Sequence, residues 1–184
     1  MRADYVDMTV TQGKVTSIVT DDDESLVVPS SLTYSEKKDT VVRRLLYYNK
    51  TIDNQPIQVV GQKAVNMLIP LKWEGQEKAQ TDPLTLTAVW MSANKRYLNM
   101  QLGIKVGSSE TEASQSLILR CDSVSSYDKG AMWLTLCHDQ GGMPEYYTKE
   151  VMMSIPLYVT PDTIQLELNT YSGAVVKKFI KSEL

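Results

Sequence analysis

Residues 84–104 read LTLTAVWMSANKRYLNMQLGI. Two β-favouring runs flank a short polar stretch, which is the pattern of a hairpin. Strict alternation puts Leu86, Ala88 and Trp90 on one face, and their apolar character makes that face the inner one. Met91 to Arg96 turn the chain, and Tyr97, Leu98 and Asn99 start the return strand. Trp90 and Tyr97 flank the turn and are expected to meet across it, as cross-strand aromatic pairs do. Trp90 is therefore expected to be a core anchor. Asn94, Lys95 and Arg96 are expected to be exposed turn residues that tolerate truncation.

The same period-two pattern runs outward in both directions. After the hairpin come SLILRCDS, AMWLTLCHD, EVMMSIPL, IQLELNT and AVVKKFI, joined by turn-rich stretches. With the hairpin strands these make seven short strands, the pattern of a two-sheet antiparallel sandwich over residues 80–184. Upstream, YVDMTVTQGKVTSIVT reads as a hairpin around Gln12-Gly13-Lys14. TVVRRLLYYNKTI is a strand because β-branched and aromatic residues dominate it; SEKKDTVVRRLL is the one rival helix. With QPIQVVGQKAVNMLIPLKW these give about five strands, enough for a small barrel over residues 1–72. The polar WEGQEKAQTDP, residues 73–83, is expected to be the boundary. The fold class is all-β, with a small barrel followed by an antiparallel β-sandwich.

Hydrophobic residues make up 42% of the 184, too many for a disordered chain. The net charge of −3 argues against a nucleic-acid binder, which needs a positive field. No apolar run approaches the ~20 residues that span a bilayer as a helix. MRADYVDMTV lacks an apolar signal core, so either the protein is cytosolic or a leader has been removed. The terminal KSEL reads as a frayed polar end. Cys121 and Cys137 form no CxxC pair, which argues against zinc. Each ends a strand-like run, and two buried thiols is the simpler reading over a disulfide.

Few residues suggest chemistry. His138 is the sole histidine, at a strand end before Gln140-Gly141-Gly142. As a general base it would need an orienting carboxylate, but Asp139 and Cys137, as its strand neighbours, point away from it. Asp21-Asp22-Asp23-Glu24 lacks the alternating oxygens and glycine of a calcium loop and reads as a solvated turn. Lys37-Lys38 and Arg43-Arg44, near Tyr47 and Tyr48, could form a basic aromatic surface for single-stranded nucleic acid. The bland alternative is a wet strand face with long side chains. No phosphate loop, dinucleotide fingerprint or metalloprotease motif occurs, so no catalytic, cofactor-binding or metal residue is assigned.

The stretch VWMSANKRYLNMQLGI resembles the Trp, then Tyr-Leu-Asn, signature of the NigD-like proteins of Bacteroidales, carried here by Trp90, Tyr97, Leu98 and Asn99. DYVDMTVTQGKVTSIVTDDDESLVVPSS is similar to the start of that family, and LTLCHDQGG to its histidine-containing strand end, carried by His138. In the last third only the strand pattern matches. The resemblance implies an OB-like N-terminal barrel, a C-terminal sandwich, and a lipoprotein of the cell envelope whose leader and acylated cysteine are absent here. It also implies an association with a bacteriocin operon and no molecular activity.

The expected function is a non-enzymatic envelope module, lipid-anchored to a membrane, that binds a protein or glycan partner without nucleic acid or cofactor. Two alternatives stand beside it: a hydrolase-type enzyme using His138, and single-strand nucleic-acid binding through the barrel.

Overall fold

Thirteen strands account for the regular structure of the computed structural model, which describes residues 1–35, 38–52, 55–72, 79–107, 114–125, 130–157 and 161–181. No α-helix occurs among the described residues. Lys37, most of the polar stretch 73–83, the turn at 126–129 and the last three residues of KSEL lie outside them. Contacts divide the chain into two units. One comprises Met1–Asn66 with Ser92–Asn94, and the other Met67–Met91 with Lys95–Leu184. The division thus falls at Asn66/Met67, ahead of the polar stretch.

The first unit begins with β1 (Arg2–Thr11) and β2 (Lys14–Thr20), joined by Gln12 and Gly13 at φ +51° and +80°. Two successive left-handed residues suit the twist of a tight hairpin, which is why glycine stands there. Then follow β3 (Ser25–Leu26), β4 (Thr40–Asn49) and β5 (Gln58–Met67) in the order β3-β2-β1-β4-β5. SEKKDTVVRRLL therefore contributes its second half to a strand, as its β-branched residues require. The two ends of the order approach each other: Ile57 N, just before β5, donates to Val27 O, just after β3, at 3.0 Å. Side chains from all five strands or their flanks fill the interior, including Val6, Met8, Ile18, Leu26, Leu46, Tyr48 and Ile57.

The second unit is a sandwich. One sheet orders β11 (Tyr147–Pro156), β8 (Tyr97–Val106) and β7 (Thr85–Met91). The other orders β13 (Gly173–Ile180), β12 (Thr163–Thr170), β10 (Ala131–Asp139), β9 (Ser116–Ser125) and β6 (Leu71–Lys72). All seven strands read after residue 80 are present. The five-stranded sheet is mixed, because β10 runs parallel to β12 and β6 parallel to β9. The first follows from topology: β11 lies in the opposite sheet, so the chain reverses twice between β10 and β12. The core comes from both sheets, with Leu98, Met100, Leu102, Leu134, Leu136, Ile155, Ile164 and Leu166 at its centre.

The hairpin that anchors the sequence reading departs from strict alternation. Leu86 pairs with Leu102 and Ala88 with Gln101, so Thr87 is an extra residue. This β-bulge inverts the strand's faces. Leu86 points to the core before it, and Val89 and Met91 after it. Trp90 falls on the opposite face and is half-buried, so it is not the core anchor that alternation predicts. It stands opposite Asn99, with Tyr97 only diagonal to it.

Candidate functional site

His138 ends the inner face of β10, in step with Met132, Leu134 and Leu136. It is 1% exposed, a histidine sealed within an apolar sheet face. Its Nδ1 lies 3.2 Å from the backbone oxygen of Asp82. A carbonyl only accepts, so the ring proton sits on Nδ1 in this bond. Asp82 N donates in return to His138 O at 2.8 Å, and Gln140 N donates to Asp82 Oδ2 at 2.8 Å. Asn169 Nδ2 holds Thr81 O at 2.7 Å. Residues 81–84 are therefore a strap sewn onto the sandwich, and His138 is one of its stitches. Nε2 has no hydrogen-bond partner among the described residues.

This geometry suits positioning and not proton transfer. One ring nitrogen is committed to a backbone carbonyl, and the other is closed off from solvent. Asp139 is exposed, and its Oδ1 accepts from Gly141 N at 2.8 Å, as its placement on the other face of β10 demands. Cys137 is 2% exposed on that same other face, where burial pushes the thiol pKa up; Arg120 opposes the shift and Asp122 adds to it. A protonated, enclosed thiol is a poor nucleophile. Cys121 lies opposite Leu134 and Cys137 opposite Ile118, and neither forms a disulfide.

The remaining signature residues gather in the other sheet. Leu98 is fully buried in the core. Asn99, also fully buried, is on the opposite face, where Ser154 Oγ donates to its Oδ1 at 2.7 Å from the directly opposed position on β11. An asparagine with no exposure needs such partners. Trp90, Asn99 and Ser154 thus form one row across β7, β8 and β11. His138 is in the second sheet, so the signature marks two separate structural positions and not one catalytic constellation.

The turn of the hairpin is also structural. Within the first unit, Asn94 N donates to Asp21 O at 2.9 Å and Asn94 Nδ2 to Asp23 Oδ1 at 3.2 Å. Ser92, 1% exposed, donates to Asn94 Oδ1 at 2.8 Å. Asn94 is therefore bonded, contrary to its expected freedom.

The acidic run has a similar fate. Arg43 Nη2 meets both oxygens of Asp21, at 2.7 and 2.8 Å, while Nη1 meets Asp7 Oδ1 at 3.0 Å. Its guanidinium lies 5.6 Å from the centre of the Tyr5 ring. The side chain is 2% exposed, so this member of the supposed basic surface belongs to an internal ion cluster. Tyr48 is fully buried too: its hydroxyl donates to Asp4 Oδ2 at 2.7 Å, and burial, reinforced by Asp4, pushes its pKa well up. Arg44 stacks 5.2 Å from the Tyr34 ring centre. Glu24 accepts from Lys50 at 2.5 Å and Arg2 at 3.4 Å. Asp21 and Glu24 are thus engaged by cations of the protein, and the run is not a wholly solvated turn. Among the described residues no group of three or more acidic, histidine or cysteine side chains could hold a metal.

Asp82 was not a sequence candidate. Its signal is Asp82-Pro83, since the residue before proline is held extended and its backbone is free to pair. Its place in a polar stretch hid that.

A model of the NigD-like C-terminal beta sandwich domain matches residues 67–181. The chain belongs to the NigD-like family. The match begins at the first residue of the second unit. Among solved structures, a NigD-like immunity protein from Bacteroides caccae is similar over 98% of this chain and 97% of its own, with TM-score 0.74 and 19% identity. A protein of unknown function from Bacteroides vulgatus is similar over 97% and 89%, with TM-score 0.71 and 16% identity. A candidate lipoprotein from Bacteroides fragilis is similar over 97% and 96%, with TM-score 0.67 and 12% identity. At these identities the likeness shows a shared two-part fold. No curated protein matches the sequence.

Proposed function

We propose that this member of the NigD-like family is a non-enzymatic binding module of the cell envelope that holds a protein partner in toxin immunity. The observation that carries the reading is the state of His138. Its Nδ1 is committed to Asp82 O, and the ring is closed to solvent. The Bacteroides caccae relative is an immunity protein, which supports the role. The candidate lipoprotein from Bacteroides fragilis supports the envelope location.

The test uses the native host. Deleting the gene and exposing the cells to the host's own stationary-phase supernatant should lower survival. The wild-type gene and His138→Asn should restore it equally. The asparagine amide reaches the Nδ1 position and removes Nε2, so a chemical role for the ring would fail where a positioning role survives. Unchanged survival on deletion would sink the immunity reading. Loss of rescue by a normally folded His138→Asn protein would sink the non-enzymatic one.

A further inference from the structure

β7 and β13 are the terminal strands of the two sandwich sheets, and among the described residues nothing pairs with the outer edge of either. The two sheets meet at one corner. Leu84 bridges Thr170 in parallel, with Leu84 N donating to Asn169 O at 3.2 Å and Tyr171 N to Leu84 O at 3.3 Å. Beyond that corner β7 and β13 line a groove of two adjoining hollows, of about 260 and 270 Å³. Leu86 and Lys177 line both hollows. Val175 and Phe179 sit on the β13 side, partly buried against the core.

Lys177 is out of place by the rule that shapes every neighbour. Val175, Lys177 and Phe179 share one face of β13, and that face is turned to the core. Alternation demands an apolar residue at the middle position, and a lysine occupies it. It is exposed in the groove, and among the described residues no carboxylate pairs with it. An inward-pointing charge on an edge strand protects a sheet against self-pairing. The same charge, framed by two apolar side chains beside a free backbone edge, is also a readable pattern.

We infer that this groove binds an extended segment of a partner protein, which adds as a strand to the free edge of β13. The segment carries an acidic residue flanked two positions away on each side by apolar residues. Strand addition supplies main-chain hydrogen bonds, and alternate side chains supply specificity. Apolar side chains opposite Val175 and Phe179 extend the core, while the carboxylate meets Lys177. The eight residues of β13 offer an edge of roughly 26 Å. A second copy of this chain is a poor occupant, because an antiparallel β13 in full register would set Lys177 and Lys178 opposite Val176 and Val175 and brings no acidic residue to meet them. The inference rests on the protein-binding reading above and names the surface that performs it.

The test uses the full chain and fluorescein-labelled eight-residue peptides. One has the apolar–x–Asp–x–apolar pattern, a second has Lys for Asp, and a third has proline at the pairing positions. Fluorescence anisotropy should show saturable one-to-one binding of the first alone. Lys177→Glu should weaken it about tenfold, since reversal turns an attraction into a repulsion, and should admit the lysine peptide instead. Amide exchange should slow along β13. Absence of saturable binding up to millimolar peptide, equal binding of acidic and basic peptides, tolerance of proline, or protection elsewhere would overturn the inference; so would self-association abolished by Lys177→Glu. If the acidic peptide binds but gene deletion leaves survival unchanged, the immunity role falls and the groove stands. If Lys177→Glu loses the peptide yet protects cells fully, the role stands and the groove is not its working surface.

Discussion

Arg43 tests whether the first unit depends on its ion cluster. Its guanidinium is 2% exposed, and the side chains of Asp7 and Asp21 are 14% and 15% exposed. Arg43→Met keeps most of the aliphatic stem and its packing but removes three charge-assisted hydrogen bonds and the contact with Tyr5. Removing one partner of a buried pair costs roughly 3–5 kcal/mol, mainly because the other charge is left stranded. Here the stranded carboxylates keep some access to water, so the lower end applies, about 3 kcal/mol. Against the ~5–15 kcal/mol that stabilises a domain, that is a large share. For a unit of this size it corresponds to a fall in Tm of roughly 12–24 °C. Asp21→Asn should cost less, about 1–1.5 kcal/mol, because Asp7 still neutralises the arginine. Trp73, Trp90 and Trp133 all lie beyond residue 66, so tryptophan emission does not report on the first unit. Amide exchange of β1 and β4 across a urea series does. A loss below about 1 kcal/mol for Arg43→Met would equate the cluster with an ordinary surface pair and refute the reasoning.

Three further outcomes are expected. Leu98→Ala, at a fully buried position, should cost roughly 2–5 kcal/mol, and Trp90→Ala clearly less, as read from urea melts followed by circular dichroism; the reverse order would place Trp90 in the core. Gly141→Ala should destabilise by more than ~1 kcal/mol in thermal melts, because φ is +57° and the new Cβ would lie 1.9 Å from Ser114 O; an unchanged Tm would contradict that geometry. Tyr48 keeps its proton in the folded state where the unfolded state releases it, above about pH 10, so stability should fall as pH rises past that value. Tyr48→Phe should be less stable at pH 7 by about 1.5–3 kcal/mol but show a flatter alkaline limb. Parallel slopes between pH 9 and 11 would remove Tyr48 as the cause.

Strands were legible because alternation and β-branched residues report the pleat directly. IQLELNT and SLILRCDS could be little else. What escaped depends on pairing across the chain. Arg43 and Arg44 look alike as a dipeptide, yet adjacent strand residues face opposite ways, and only Arg43 meets Asp7 from β1 and Asp21 from the turn after β2. A strand pattern says nothing about which carboxylates arrive opposite. His138 was legible as a structural residue from its lack of a placed partner. Asp82, which it holds, was not, because a backbone carbonyl leaves no trace in side-chain composition. The division of contacts at Asn66/Met67 left no mark in the sequence for a similar reason. The polar residues at 81–83 look like a linker but are hydrogen-bonded into the second unit.

The extra residue in β7 means that this strand is one position longer than its partner requires. Without Thr87, Leu86, Val89 and Met91 would follow one another at every second place, and Ala88 and Trp90 would remain outside. A single-residue length change in mid-strand normally exchanges inside for outside along everything that follows. Here the loss of one residue would leave the same side chains in the core and a plainer ladder above them. Length variation among relatives can therefore be absorbed within this strand, and an alignment that slides gaps into the loops would misassign Trp90.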